Sequence, residues 1–171
     1  MGVRRVADLR LLTIGVYGFT EDAFFAALEA AGVDVFCDVR RRRGLRGSRY
    51  AFANSRRLQD RLQAMGIRYL HLKDLSPAES VRELQRQADK AGGLRRGERT
   101  ALCDDFVRAY AAQCLDALDA EAFVRRLGEG ARAAALFCVE DNPAACHRSL
   151  LARRLAQELN LEIEHVTPCG S

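Results

Sequence analysis

The sequence predicts an α/β fold: a single-domain three-layer sandwich with a mostly parallel sheet of about five strands and helices on both faces. Three observations lead there. Short apolar runs alternate along the chain with longer amphipathic stretches, the pattern of strand–helix–strand units. Those short runs are apolar almost throughout, as parallel strands covered on both sides must be. The 171 residues fit one domain, 1–171, whose core needs neither metal nor disulfide to form.

Leu11 to Gly15 (LLTIG) reads as a buried strand ending in glycine. Thr20 then serves as an N-cap, with Glu21 and Asp22 in the first helical turn. Phe24, Phe25, Leu28 and Ala31 form the apolar stripe of that helix, and Gly32 closes it. Val33 to Val39 (VDVFCDV) is the second strand, followed by a polar loop, Arg40 to Ala53. Ser55 to Met65 reads as a helix with Leu58, Leu62 and Met65 on one side. Ile67 to Leu72 is the third strand. Ser76-Pro77-Ala78-Glu79 has the spacing of a capping box with proline in the first helical position, opening a helix to Ala91. Gly92 to Arg99 is a basic break, the weakest point of the one-domain reading. Thr100 to Leu118 reads as helical, and Asp119 caps a short helix reaching Leu127. Ala133 to Val139 (AAALFCV) is the fourth strand. Asn142 and Pro143 cap and start the last helix, to Leu159, and Glu162 to Val166 is a final strand.

Apolar residues make up 49% and charged residues 29%, the balance of an ordinary globular domain. No apolar run approaches the ~20 residues of a membrane span. The basic start, Met1 to Arg10, lacks the apolar region of a secretion signal. These features predict a cytoplasmic protein with no membrane partner. The six cysteines (Cys37, Cys103, Cys114, Cys138, Cys146, Cys169) are then read as thiols. No Cys-x-x-Cys pair occurs, so the strong zinc and redox spacings are missing. Also missing are the phosphate-binding loop of the P-loop NTPases, a G-x-G-x-x-G after the first strand, and the G-x-S-x-G elbow of α/β hydrolases.

Charge is uneven. The formal net charge is +4, yet Arg40 to Arg68 holds ten arginines against one acid, Asp60, a net of +9, which leaves −5 for the remainder. Arg40 to Arg43, Arg46 and Arg49 could form an anion-binding loop, since the planar guanidinium suits phosphate and carboxylate; a solvated charge run is the bland alternative. Tyr50 and Phe52 follow directly, so loop 40–57 also fits nucleic acid, with rings stacking on bases and arginines on phosphates.

Right-handed crossovers place every strand-to-helix loop at one end of a parallel sheet, where open sheets bind ligands. That end collects Tyr17, Asp38 to Arg49, His71, Glu140 to Arg148 and His165. The densest chemistry lies in Cys138-Val139-Glu140-Asp141-Asn142-Pro143-Ala144-Ala145-Cys146-His147-Arg148. Strand alternation puts Cys138 and Glu140 on one face. With Asn142 as cap, Cys146 falls in the first helical turn, where amides and the helix dipole favour a thiolate or bound anion. His147 and Arg148 add donors beside it. Core packing of Cys138 and Cys146, with Arg148 clasped to Glu140, stands as the alternative. Asp38 either acts as a base or orients Arg40 in a local salt bridge. His71 and His165 could converge on Cys146 and His147, but their spacings fit no standard metal signature, so no metal is predicted.

Several separated motifs resemble the domain of unknown function 488 family: Thr13-Ile14-Gly15, Asp38-Val39-Arg40, Gly66-Ile67-x-Tyr69-x-His71, Cys138-x-Glu140 and Cys146-His147-Arg148. The resemblance covers most of the chain and implies a compact α/β fold without an established reaction. The chain departs from that family at two places near the ligand end. Arg41-Arg42-Arg43-Gly44-Leu45-Arg46-Gly47 replaces a loop that usually carries prolines, and Lys73-Asp74-Leu75-Ser76 replaces a Pro and a Leu-Gly-Gly turn.

The resulting expectation is an enzyme or redox-active protein holding a small phosphate- or carboxylate-bearing ligand. Cys146, His147, Glu140 and Asp38 are its candidate catalytic groups. Arg40, Arg43, Arg46, Arg148, His71 and Tyr17 are its candidate ligand contacts. Nucleic-acid binding by loop 40–57 is the alternative. Neither a cofactor nor an oligomeric state is specified by the sequence.

Overall fold

The computed structural model describes residues 8–95 and 97–169. Residues 1–7, which carry much of the basic N-terminal signal reading, lie outside the described residues, as does Arg96 in the basic break. Five strands form one sheet: β1 (Arg10–Gly15), β2 (Val35–Asp38), β3 (Arg68–His71), β4 (Ala133–Cys138) and β5 (Ile163–Val166). Their order is β3-β2-β4-β1-β5 and every pairing is parallel. β4 runs between β1 and β2, and all six of its residues are buried.

Helices α1 (Glu21–Ala30) and α2 (Ser55–Ala64) cover one face; α5 (Ala120–Leu127) and α6 (His147–Leu159) cover the other. Two separate cores record this. Phe24, Phe25 and Leu28 of α1 and Leu58 and Leu62 of α2 pack on Leu12, Ile14, Phe36 and Phe137. Phe123 and Leu127 of α5 and Leu151 and Leu155 of α6 pack on Leu11, Val35, Cys37, Leu136 and Cys138. Adjacent residues of each strand thus feed opposite cores, as the pleat requires. A smaller core of Val81, Phe106, Tyr110 and Cys114 joins α3 (Glu79–Ala91) to α4 (Asp104–Tyr110). Among the described residues no helix is long and apolar enough to cross a membrane.

Three helix starts differ from the sequence reading. Asn142 does cap, accepting from the Ala144 amide at 2.9 Å, but what it caps is a single 3-10 turn, Pro143–Ala145. The Cys146 amide closes that turn on Pro143 O. The chain then extends for one residue (φ −136°, ψ 141° at Cys146), and α6 begins at His147. Cys146 is therefore the N-cap and not a first-turn residue. Ser76 donates to Lys73 O at 2.5 Å, fastening the turn Lys73–Leu75 instead of capping α3, whose N-cap is Ala78. The segment read as a helix from Thr100 begins at Asp104 and passes into a π-helical turn, Ala111–Leu115. Thr20, by contrast, caps α1 through the Ala23 amide, and Asp119 caps α5 through the Ala122 amide.

Candidate functional site

β1 and β2 lead to helices on one face, β4 to α6 on the other. Chain paths therefore diverge at the carboxyl end of β4, where open sheets form ligand sites. Gly15 ends β1 directly beneath the loop that follows β4. A Cβ at Gly15 would overlap the Glu140 carbonyl and press on Arg148 Nη1. That close approach lets Arg148 reach back across the strand ends.

Cys138, at the end of β4, and Cys146, at the N-cap of α6, face one imidazole. Each Sγ lies 3.9 Å from His147 Nδ1, and the two sulfurs and Nδ1 lie within 4.8 Å of one another. His147 Nε2 is 3.0 Å from Val39 O at the end of β2. A carbonyl can only accept, so Nε2 carries the proton and Nδ1 turns its lone pair to the sulfurs. Tyr110 packs its ring edge against His147, centroids 5.4 Å apart, and donates its hydroxyl to Leu75 O at 2.7 Å. The cluster is enclosed: Cys146 is 3% exposed, His147 6% and Cys138 7%.

Arg148 is wholly buried. It donates through Nη1 to Glu140 O at 2.5 Å and through Nη2 to Asp141 O at 3.1 Å, and its Nε has no partner. Both partners are carbonyls, so these bonds orient the guanidinium without neutralising it. Burial would raise the Cys146 thiol, but the Cys138 S–H and the Arg148 guanidinium outweigh burial and hold it well below the ordinary thiol range. Cys138 is held well above that range, by its bond to Cys146 and by burial. The two thiols thus titrate as a pair, with Cys146 the one that gives up its proton first. Burial pushes the Tyr110 hydroxyl up, and the neighbouring cysteines add to that.

Asp38, Arg40 and His71 form a neighbouring network. Arg40 donates to both Asp38 oxygens, at 2.9 and 2.8 Å, and to Ala53 O at 2.9 Å, with its guanidinium 4.6 Å above the Phe137 ring. Tyr69 donates to Asp38 Oδ2 at 2.7 Å. Burial first, then Asp38, push the Tyr69 hydroxyl up to about 12, with Arg43 acting in the opposite sense. His71 Nε2 lies 2.9 Å from Arg40 O. Asp38 and Arg40 are both buried and committed to each other, which is the local salt bridge among the sequence alternatives. They reach the sulfur cluster only through the backbone, since Val39 lies between them.

The Glu140 side chain does not hold Arg148, whose bond goes to the Glu140 carbonyl. The Glu140 carboxylate lies 3.9 Å from Arg99 Nη1. Arg99 also reaches Ala145 O at 3.3 Å and pairs with Asp89. His165 bonds Thr13 Oγ1 at 2.6 Å on β5, and neither it nor His71 joins the sulfurs. Arg46 is exposed on the loop. Tyr17 packs at a tilt against Tyr50, ring centroids 5.0 Å apart, and Tyr50 also meets Arg49, Phe52 and the Gly18 amide, from which its hydroxyl accepts. Phe52 is 2% exposed within the α1–α2 core, so it cannot stack on a base; its ring fills the space beside Phe24 and Phe25.

Sequence reasoning missed Arg99, Asp89 and Tyr110, which come from distant segments with no motif to mark them. Two sulfurs and an imidazole nitrogen are donor types for a soft metal. Among the described residues no fourth His, Cys, Asp or Glu completes the group, and the Arg148 charge opposes a cation there.

No curated protein and no solved structure matches the chain. A family model described as "Domain of unknown function DUF488" matches residues 20–155, a span that includes Asp38, Cys138, Cys146, His147 and Arg148. The chain belongs to the DUF488 family.

Proposed function

We propose that the protein is a thiol-dependent enzyme or redox-active protein whose nucleophile is Cys146. The observation that carries this reading is the meeting of the Cys138 and Cys146 sulfurs at His147 Nδ1, with the His147 tautomer set by Val39 O. Cys138 donates to the thiolate, His147 Nδ1 takes up a proton during reaction, and Arg148 stabilises negative charge. The amides that open α6 add donors for a small anionic group. A phosphate- or carboxylate-bearing ligand fits this charge, provided it is small. Two surface depressions lie elsewhere, one lined by Gln59, Gln63 and Tyr69 and the other by Asp74, Gln113 and Arg126. The nucleic-acid alternative has less support: Arg42, Arg46 and Arg49 are exposed, but Tyr50 is packed against Tyr17 and Phe52 belongs to the core.

The test is a pH titration of wild type and Cys146→Ser, read by thiolate ultraviolet absorbance and by peptide mass spectrometry after iodoacetamide. Absorbance reports the thiolate even where burial slows alkylation. The expected result is a thiolate signal lost in the variant, with an inflection well below the ordinary ~8.5. An inflection at or above that value ends the proposal.

A further inference from the structure

We propose that Cys138 and Cys146 are a dithiol couple closed to a disulfide by hydrogen peroxide, the substrate class that this enclosed site admits. The inference rests on Cys146 being the nucleophile and adds both a second reacting sulfur and an oxidant. Three observations carry it. The two sulfurs and His147 Nδ1 lie within 4.8 Å of one another, so side-chain rotation at a strand end and an N-cap can bring the sulfurs to the ~2.05 Å of a bond. Cys146 and Cys138 are only 3% and 7% exposed, so a small oxidant reaches the sulfurs far more readily than a bulky one. Arg148 is a buried cation without a carboxylate partner among the described residues, placed to stabilise both the thiolate and the departing hydroxide.

The steps balance. The Cys146 thiolate attacks one peroxide oxygen: an S–O bond forms, the O–O bond breaks, and hydroxide leaves, taking a proton from solvent to become water. Cys146 sulfur has given up two electrons and is a sulfenic acid. Cys138 sulfur then attacks it as His147 Nδ1 accepts the Cys138 proton. The S–S bond forms, the S–O bond breaks, and the second hydroxide takes that proton and leaves as water. In total one thiolate, one thiol, one peroxide and one proton give a disulfide and two waters.

The other cysteines provide controls. Cys37 is wholly buried and its thiol is pushed up to about 12, chiefly by burial, so it stays silent. Cys169 is exposed and Cys103 half-buried, so both are replaced by serine in the test background. The full chain is treated with equimolar hydrogen peroxide, cumene hydroperoxide or glutathione disulfide, and intact mass and peptide maps are taken over time. The expected result is a loss of ~2 Da with a peptide crosslinked from Cys138 to Cys146, formed about tenfold or more faster by hydrogen peroxide than by the bulky oxidants. Cys138→Ser is expected to stop at a sulfenic acid on Cys146, read in the intact mass as a gain of ~16 Da. Cys146→Ser is expected to show no crosslink. Persistent sulfenic or sulfinic acid in the parent without a crosslink overturns the couple while the thiolate titration still stands. Reaction as fast with glutathione disulfide overturns the peroxide assignment. Absence of the thiolate signal itself removes both this inference and the reading beneath it.

Discussion

Arg148 has two separable roles, a hydrogen-bonded clasp and a buried positive charge. The clasp ties Glu140 O and Asp141 O across the end of β1; the charge favours the Cys146 thiolate. Substitution distinguishes them. Arg148→Met leaves two carbonyls without their donors and removes the charge. Each buried group so stranded costs about 1–3 kcal/mol, so urea unfolding is expected to register a loss of that order or more. The thiolate inflection is expected to move up at the same time. Arg148→Lys keeps a charge but cannot reproduce the planar fork; it is expected to lose stability while retaining a lower inflection than the Met variant. Equal inflections in the two variants would reduce Arg148 to a structural clasp.

At the scale of elements, the junction of β1 with the β4–α6 connection decides the site. The overlap that a Gly15 methyl group would make is with backbone, which cannot rotate away. Gly15→Ala is expected to destabilise by about 1–3 kcal/mol or more, read as a lowered thermal midpoint, and to displace Arg148 from the sulfurs. Gly44→Ala is the matched control: no atom lies within 4 Å of the place its methyl group would take, and the midpoint should stay within the scatter of ordinary surface changes. The β4–α6 connection also marks a limit of sequence reading. Asn142-Pro143 is a sound helix start by local rules, and it does start a turn. The extended Cys146 follows because its sulfur is turned toward Cys138 and His147, contacts that local rules do not contain.

Across the whole molecule, arginine dominates the ion pairs and sets the response to acid. Asp89 is lowered by its bond to Arg99, Asp74 by Arg126, Glu79 and Glu83 by Arg86, and Glu164 by Arg10. Each carboxyl binds protons less tightly folded than unfolded. Their stabilisation is therefore complete above the ordinary carboxylate range and is lost as pH falls through the lower folded values. The exposed pairs contribute little, because solvent screens them; Asp89–Arg99, the pair most shielded from water among the lowered carboxyls, contributes more. His165, lowered chiefly by burial, acts in the same direction. Urea unfolding is expected to give falling stability below about pH 4, with a shallower fall in Asp89→Asn. Stability that rises on acidification would contradict these pairings.

The fold class and strand sequence were legible because short uniformly apolar runs and amphipathic stretches are local properties of the chain. So was the gathering of Asp38, Arg40, Cys138, Glu140 and Cys146 at the strand ends, since parallel strands place all their carboxyl ends together. The chain by itself determined that these five residues meet at that end, but not that Arg99, Asp89 and Tyr110 join them or that His71 and His165 stay apart from the sulfurs. Only the tertiary structure decided how they pair: Arg40 with Asp38, Arg148 with carbonyls, His147 with Val39 O, and both sulfurs with His147 Nδ1. The physical reason is that strand and helix periodicities act within a few residues. A hydrogen bond from His147 to Val39, or from Tyr110 to Leu75, depends on where β4 is inserted in the sheet and how the helices pack above it.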